Sequence, residues 1–354
     1  MKAYIRSTVS ISPQNTFDGS EFLDGPIEYY SNRLTCIEPD YKDIIDPKLI
    51  RRMSRVIKMG VASGLACLNQ GNISVPDAII TGTAYGCLAD TGVFLTNMIE
   101  QDEEPLSPTA FVHSTHNTIG AQIALLIKCH QYNSTFVNGG ASFENALLDG
   151  LMLMADGSVG NVLVGGVDEI TNYSHSILSR FGLYKNGEVS NLEIFHNSGK
   201  GTINGEGATF FLLTDNFSPA DLASLDAVET FYKPGSISET EQYIASFLER
   251  QPIKTDDIDV VIFGDNGDVK NDSIYRHLRQ SIFSNNDYVN YKHLCGDYPT
   301  STAFATWIGA NILKNNNIPP GLSSTKNTNK KINKVLIYNH YQNTHHSLIL
   351  LSAC

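Results

Sequence analysis

Apolar residues recur every three or four positions through Ile50, Met53, Ile57, Val61 and Leu65, the spacing of one buried helix face. Asp46-Pro47 predicts the start of this helix, because Asp accepts from free N–H groups and Pro suits a first turn. Gly71 predicts its end. DAIITGTAYG (77–86) reads as a strand ending in glycines, and residues 116–129 carry a second helical pattern. STFVN (134–138) predicts a short strand running into Gly139-Gly140. A helix should follow to about 156, with Ala146, Leu147, Gly150, Leu151 and Met154 on one face. NVLVGGV (161–167) and ATFFLLTD (208–215) are apolar runs with the length of buried strands.

The C-terminal part repeats this order. A helix is predicted over 237–251, a strand ending in glycine over 257–267, and a strand over 288–294 leading into Gly296 and a small-residue helix at 300–314. KVLIYNH (334–340) and SLILLSAC (347–354) read as closing strands, and the Asn/Lys/Ser/Thr-rich stretch 323–334 as a loop. The repetition is one of pattern, not of residue identity, and points to an internal duplication. The natural junction is near 216–225, dividing the chain into halves 1–217 and 218–354 within one compact unit.

Composition narrows the class. The 354 residues are 42% hydrophobic and 18% charged, with net charge −12. That suits a packed α/β protein and excludes a disordered one. No basic tail or positive field exists to attract nucleic acid. No run of 18 apolar residues appears, so no membrane span is expected, and the strand-like N-terminus shows no signal peptide. Cys36, Cys67, Cys87, Cys129, Cys295 and Cys354 form no CxxC pair, which argues against a zinc site and fits reduced thiols in a cytoplasm. No metal or other cofactor is expected.

A strand that runs through small residues into a helix N-terminus is a recurring place for a nucleophile, since the helix dipole favours a thiolate or oxyanion there. The segment here is Asn138-Gly139-Gly140-Ala141-Ser142-Phe143-Glu144. It holds no cysteine. Ser142 is the one nucleophile candidate, but it lies outside any G-x-S-x-G. The plainer reading of Ser142 is a helix cap or a buried hydroxyl.

Five segments in order resemble the β-ketoacyl synthases: 46–73 their first long helix, DAIITGTAYG their next strand, SPTAFVHSTHNTIGAQIAL (107–125) their segment with a fixed Asn (here Asn117), NVLVGGVDEIT (161–171) their strand ending in two glycines and an acid, and Gly205-Glu206-Gly207-Ala208 their G-E-G-A strand start. The resemblance implies a thiolase-like α/β fold, two duplicated βαβαβαββ halves in a layered α/β/α/β/α arrangement. It implies decarboxylative condensation on acyl carrier protein by a Cys, His, His set. Counted back without gaps from Gly165-Gly166, Ala141 falls where the family has its cysteine, and a shift of one residue gives Gly140 or Ser142. Phe263-Gly264 falls at the family's His-Gly pair, with Phe263 assigned to the histidine. Lys292-His293-Leu294-Cys295-Gly296-Asp297 matches Lys-x-x-x-Gly-His with Asp297 in place of histidine. The family's late glycine-rich loop is replaced by NHYQNTHH (339–346).

Condensation needs a thiolate to hold the acyl chain, and Ala141 has no nucleophilic atom. Phe263 offers no donor, and an ionised Asp297 would oppose developing negative charge. Loss of one such donor costs about 10²–10³ in rate. The resemblance therefore implies a non-catalytic subunit like the chain-length factor, paired with an active ketosynthase. Ser134, Phe136 and Asn138 would lie at the dimer interface, and Phe136 and Phe143 would gate the partner's acyl tunnel, unless both are ordinary core. Arg51, Arg52, Arg55 and Lys58 would form a docking patch for carrier protein, unless they are a solvated helix face. A homodimeric acyl-binding scaffold and an acyltransferase or decarboxylase with altered chemistry using Ser142 are the alternatives. His293 and Cys295 would share one face of a strand, and His345-His346 would face opposite ways.

Overall fold

A computed structural model describes residues 2–17, 22–104, 108–196, 199–322 and 331–354. The first half runs β1 (Ala3–Ile11), α1 (Pro47–Ile50), α2 (Arg55–Gln70), β2 (Ala78–Gly82), α3 (Leu88–Glu100), α4 (Pro108–His113), α5 (Thr118–Ile127), β3 (Tyr132–Phe136), α6 (Ser142–Ala155), β4 (Asn161–Asp168), α7 (Asn172–Arg180) and β5 (Gly207–Thr214). The second runs β6 (Ala223–Tyr232), α8 (Ile237–Arg250), β7 (Val260–Phe263), α9 (Ser273–Gln280), β8 (Asp287–Asn290), α10 (Lys292–Cys295), α11 (Thr302–Asn315), β9 (Lys334–Tyr341) and β10 (His345–Ser352).

The strands are ordered β3-β2-β4-β5-β1-β6-β10-β9-β7-β8. Read outward from the β1–β6 junction, the two runs of five are the same. In each, the outer three strands are parallel and the inner joins antiparallel. The runs meet where Ala3 pairs with Leu225 and Ile5 with Ala223.

Helices α6 and α11 pack together between the two runs and bury apolar residues of both, Ile80 and Phe211 from one and Ile262 and Val335 from the other. On the far face of the first run lie α2 and α5, around Ile57, Ile123 and Phe210. On the far face of the second lies α8 with α9, around Phe247, Leu278 and Phe263. This is the layered α/β/α/β/α arrangement, with the N-termini of α6 and α11 brought to the middle of the molecule. The two outer edges differ: β3 is exposed or half-buried along its length, whereas β8 is buried at three of four positions.

Several boundaries depart from the sequence pattern. The helix expected from Asp46 to Gly71 is two. Asp46 does cap α1 through Lys48 N, with Pro47 in the first turn, but the chain turns over 51–54 and restarts at an extended Ser54. The strand expected over 134–138 ends at Phe136, and that expected over 288–294 ends at Asn290. Residues 292–295 form a helical turn, so His293 and Cys295 do not share a strand face. Most of the expected loop at 323–334 lies outside the described residues.

Candidate functional site

The elbow is built from Asn138 to Ser142. Gly139 has φ +58, which a glycine adopts without strain. Ser142 is fully buried; its Oγ accepts from Asn138 N at 2.8 Å and donates to Gly139 O at 2.8 Å. The hydroxyl therefore closes the turn, with no histidine or carboxylate as hydrogen-bond partner. Over the elbow sits the β9–β10 hairpin. A Cβ on Gly140 would collide with the Tyr341 side chain, and one on Gly139 would lie 3.4 Å from His345 Nε2. The hairpin tip is held by Thr344 N bonding Tyr341 O at 3.0 Å and by Asn343 N donating to His340 Nδ1 at 3.0 Å.

In the first turn of α6, Glu144 is fully buried and neither carboxyl oxygen has a hydrogen-bond partner at bonding geometry. Thr302, Ser347 and Lys292 are its polar neighbours, and burial raises its pKa above the usual carboxylate range. Lys292 in turn donates to Asp297 Oδ1 at 2.7 Å, and Asn266 Nδ2 donates to Asp297 Oδ2 at 3.0 Å. Glu144 carried no sequence signal, because a lone acid near a helix start reads as a dipole complement.

Phe263 does not face this centre. It is fully buried in the outer layer beside Tyr275, Phe283 and the Arg279 guanidinium. Successive residues of a strand point to opposite faces, so the inward position is the next one. A Cβ on Gly264 would collide with Asn339, which bonds Thr302 at the start of α11. The assignment of Phe263 to the site is thus one residue out of phase.

The acids of the matched segments act as ties. Glu206 accepts from both Arg55 Nη atoms at 2.7 and 2.6 Å, and from Cys36 N and Ile170 N at 2.8 Å each. Asp168 accepts from Ala84 N at 2.9 Å and from Thr300 Oγ1 at 2.8 Å, joining β2, β4 and the approach to α11. Burial still raises the Asp168 pKa.

The remaining expected residues are placed as follows. Phe143 is fully buried against Phe211 at a ring distance of 5.7 Å; within this chain it packs in the core. Ser134 and Phe136 are half-buried on the edge strand and Asn138 is exposed beyond it. The four basic residues do not share a helix: Arg51 and Arg52 are exposed in the turn after α1, Lys58 is half-buried on α2, and Arg55 is engaged by Glu206 and Glu38. His345 is half-buried and His346 buried on β10.

Residues 37–179 match the family model described as beta-ketoacyl synthase, N-terminal domain. The solved structures carry the likeness through the second half. One described as the ishigamide ketosynthase/chain length factor superposes with a TM-score of 0.82 at 15% identity, covering 100% of this chain and 99% of that one. The chain has the thiolase-like fold of these structures. A beta-ketoacyl synthase from Burkholderia phymatum STM815 gives 0.79 at 14% identity, covering 100% and 99%. The ketosynthase ApeO in complex with its chain length factor ApeC, from Xenorhabdus doucetiae, gives 0.74 at 16%, covering 99% and 98%. No curated protein sequence matches the chain. Among the described residues, no helix is long and apolar enough to cross a membrane.

Proposed function

We propose that this chain is a non-catalytic ketosynthase-like subunit that pairs with an active β-ketoacyl-acyl-carrier-protein synthase and shapes its acyl tunnel, as a chain-length factor does. The observation that carries the reading is the chemistry at the elbow. Ala141 supplies no thiolate, the inward position after β7 is Gly264, and Asp297 is neutralised by buried Lys292. Condensation needs a nucleophile and donors at the developing oxyanion; these residues supply neither. Two of the similar solved structures are described as ketosynthases with a chain length factor, and a third as a type II polyketide ketosynthase with its acyl-carrier protein.

The partner surface is the β3 edge. Among the described residues β3 is an end strand with no neighbour on its outer side, and unpaired strand edges bind other strands. Exposed apolar side chains follow the strand at Val137 and stand on the two helices packed against it, Leu125 on α5 and Met152 on α6, a combination that marks an interaction site. Arg51 and Arg52, free of Glu206, are the candidates for carrier-protein contact.

The test is co-expression with candidate ketosynthases. A 1:1 complex with condensation activity that neither chain has alone is the expected result; failure to co-purify with any of them counts against the proposal. The acyl-transfer alternative through Ser142 is disfavoured by its hydroxyl being tied to Gly139 O and Asn138 N. A stable symmetric homodimer would favour the scaffold alternative.

A further inference from the structure

The chain has four Asn-Gly pairs: Asn138-Gly139, Asn186-Gly187, Asn204-Gly205 and Asn266-Gly267. In this dipeptide the glycine amide nitrogen can attack the asparagine side chain, because no Cβ blocks the approach and the glycine backbone turns freely. The attack needs a glycine N–H free of other bonds, a side-chain amide free to swing toward it, and water. The pairing function makes no use of this chemistry, and the fold treats the four pairs differently.

Two pairs are held in the core. Asn204 and Asn266 are 4% and 2% exposed. Gly205 N donates to Asp297 O at 3.1 Å, and Gly267 N donates to Asp272 Oδ2 at 2.9 Å. Their side chains are also engaged: Asn266 Nδ2 donates to Asp297 Oδ2, and Asn204 Nδ2 lies 3.1 Å from His175 Nδ1. In the third pair Asn138 is exposed but clamped in the elbow. Asn138 N donates to Ser142 Oγ at 2.8 Å, Asn138 O accepts from Ala141 N at 3.2 Å, and the turn holds ψ of Asn138 at 37°. Breaking such a bond to reach the reacting geometry slows ring closure by roughly tenfold or more.

Asn186-Gly187 has none of these restraints. Both residues are exposed. Among the described residues neither the Asn186 side chain nor Gly187 N enters a hydrogen bond. A Cβ on Gly187 would meet nothing within 4 Å, and its φ is +85°. The chain is anchored on either side of the pair, where Lys185 N donates to Thr202 O at 2.9 Å and Ser31 N donates to Val189 O at 3.0 Å.

We infer that Asn186 is a site of spontaneous modification, converting to aspartate and isoaspartate through a cyclic imide with Gly187. Gly187 N gives up its proton and bonds Asn186 Cγ; the Cγ–Nδ2 bond breaks, and ammonia leaves with that proton. Water then opens the imide. Cleavage of the Cγ–N bond gives aspartate. Cleavage of the backbone C–N bond gives isoaspartate, whose chain runs through the former side chain. Nothing is oxidised or reduced. Either product adds one negative charge to the −12 of the chain, and isoaspartate lengthens the backbone next to Lys185. The isoaspartyl carboxylate is a methyl acceptor for S-adenosylmethionine-dependent isoaspartyl methyltransferases, the class of enzyme that would read the mark.

The test incubates the full chain at pH 8 and 37 °C, folded and, in parallel, unfolded in guanidinium chloride. Sites are read by peptide mapping with fragment-ion mass spectrometry, and isoaspartate by methyltransferase labelling. In the folded chain Asn186 should convert at least about tenfold faster than the other three. In the unfolded chain all four should convert at similar rates. Asn186→Gln should remove most of the methyl label and leave the melting temperature unchanged. Conversion of Asn138 as fast as Asn186 in the folded chain, an intact Asn186 while an Asn-Gly peptide in the same tube converts, or the same order of sites in the unfolded chain overturns the inference.

Discussion

Lys292 Nζ lies 2.7 Å from Asp297 Oδ1, and both side chains are almost wholly withdrawn from water. Removing one partner of such a pair leaves a buried charge and costs about 3–5 kcal/mol. Asp297→Ala should lose that much stability in urea unfolding. The Lys292→Met/Asp297→Leu double variant should recover most of it. Equal losses in the single and double variants would show that the pair is not what holds this region.

Asp297→His would place the family's residue at this position but would deprive Lys292 of its anion. Combined with Ala141→Cys, it should give a protein less stable than wild type and still without condensation activity, because Gly264 supplies no second donor. Product formation from malonyl and acyl carrier protein, followed by mass spectrometry, decides the matter.

Ser142→Ala should cost about 1–2 kcal/mol, since it leaves Asn138 N–H without its acceptor. Neither wild type nor variant should gain mass on incubation with acyl-CoA. An adduct on the wild type that the variant lacks would make Ser142 a nucleophile.

His346 is buried, and desolvation lowers its pKa from 6.5 to about 4. A depressed histidine favours the folded state while neutral. Its stabilisation is complete above pH 6.5, falls as pH drops toward 4, and amounts to roughly 3 kcal/mol at most. Asp272 and Glu169, raised to about 7 by burial, act with the opposite sign, losing their contribution as pH rises toward 7. The net profile therefore mixes both, and a difference experiment isolates the histidine. Urea midpoints for wild type and His346→Gln should converge as pH falls from 7 to 4.5; parallel profiles would contradict the assignment.

Much of this was legible in the sequence. Apolar runs located nearly every strand and the 3.6-residue period nearly every long helix, because most strands are buried on both faces and the outer helices bury one stripe. The repeat was readable because each half closes the same five-strand order. Phase within an element was harder. A four-residue strand with all positions buried, as at Val260–Phe263, gives no alternation to tell inward from outward, and so Phe263 was assigned where Gly264 belongs. The break at 51–54 was hidden because Ile50 and Met53 keep helical spacing across it. The Lys292–Asp297 pair, the orphaned Glu144 and the seating of Tyr341 on Gly140 are contacts between distant segments, and no local pattern encodes them.

The unequal edges of the sheet limit how this molecule can assemble. Were β3 and its counterpart β8 equally open, each added chain would present a fresh edge and strand pairing could run on into a fibre. With β8 buried at three of four positions and β3 open, β3 is the one open end strand among the described residues, and strand addition there uses it up. A complex formed through that edge stops at two chains, and the duplication that built the fold does not become a route to polymerisation.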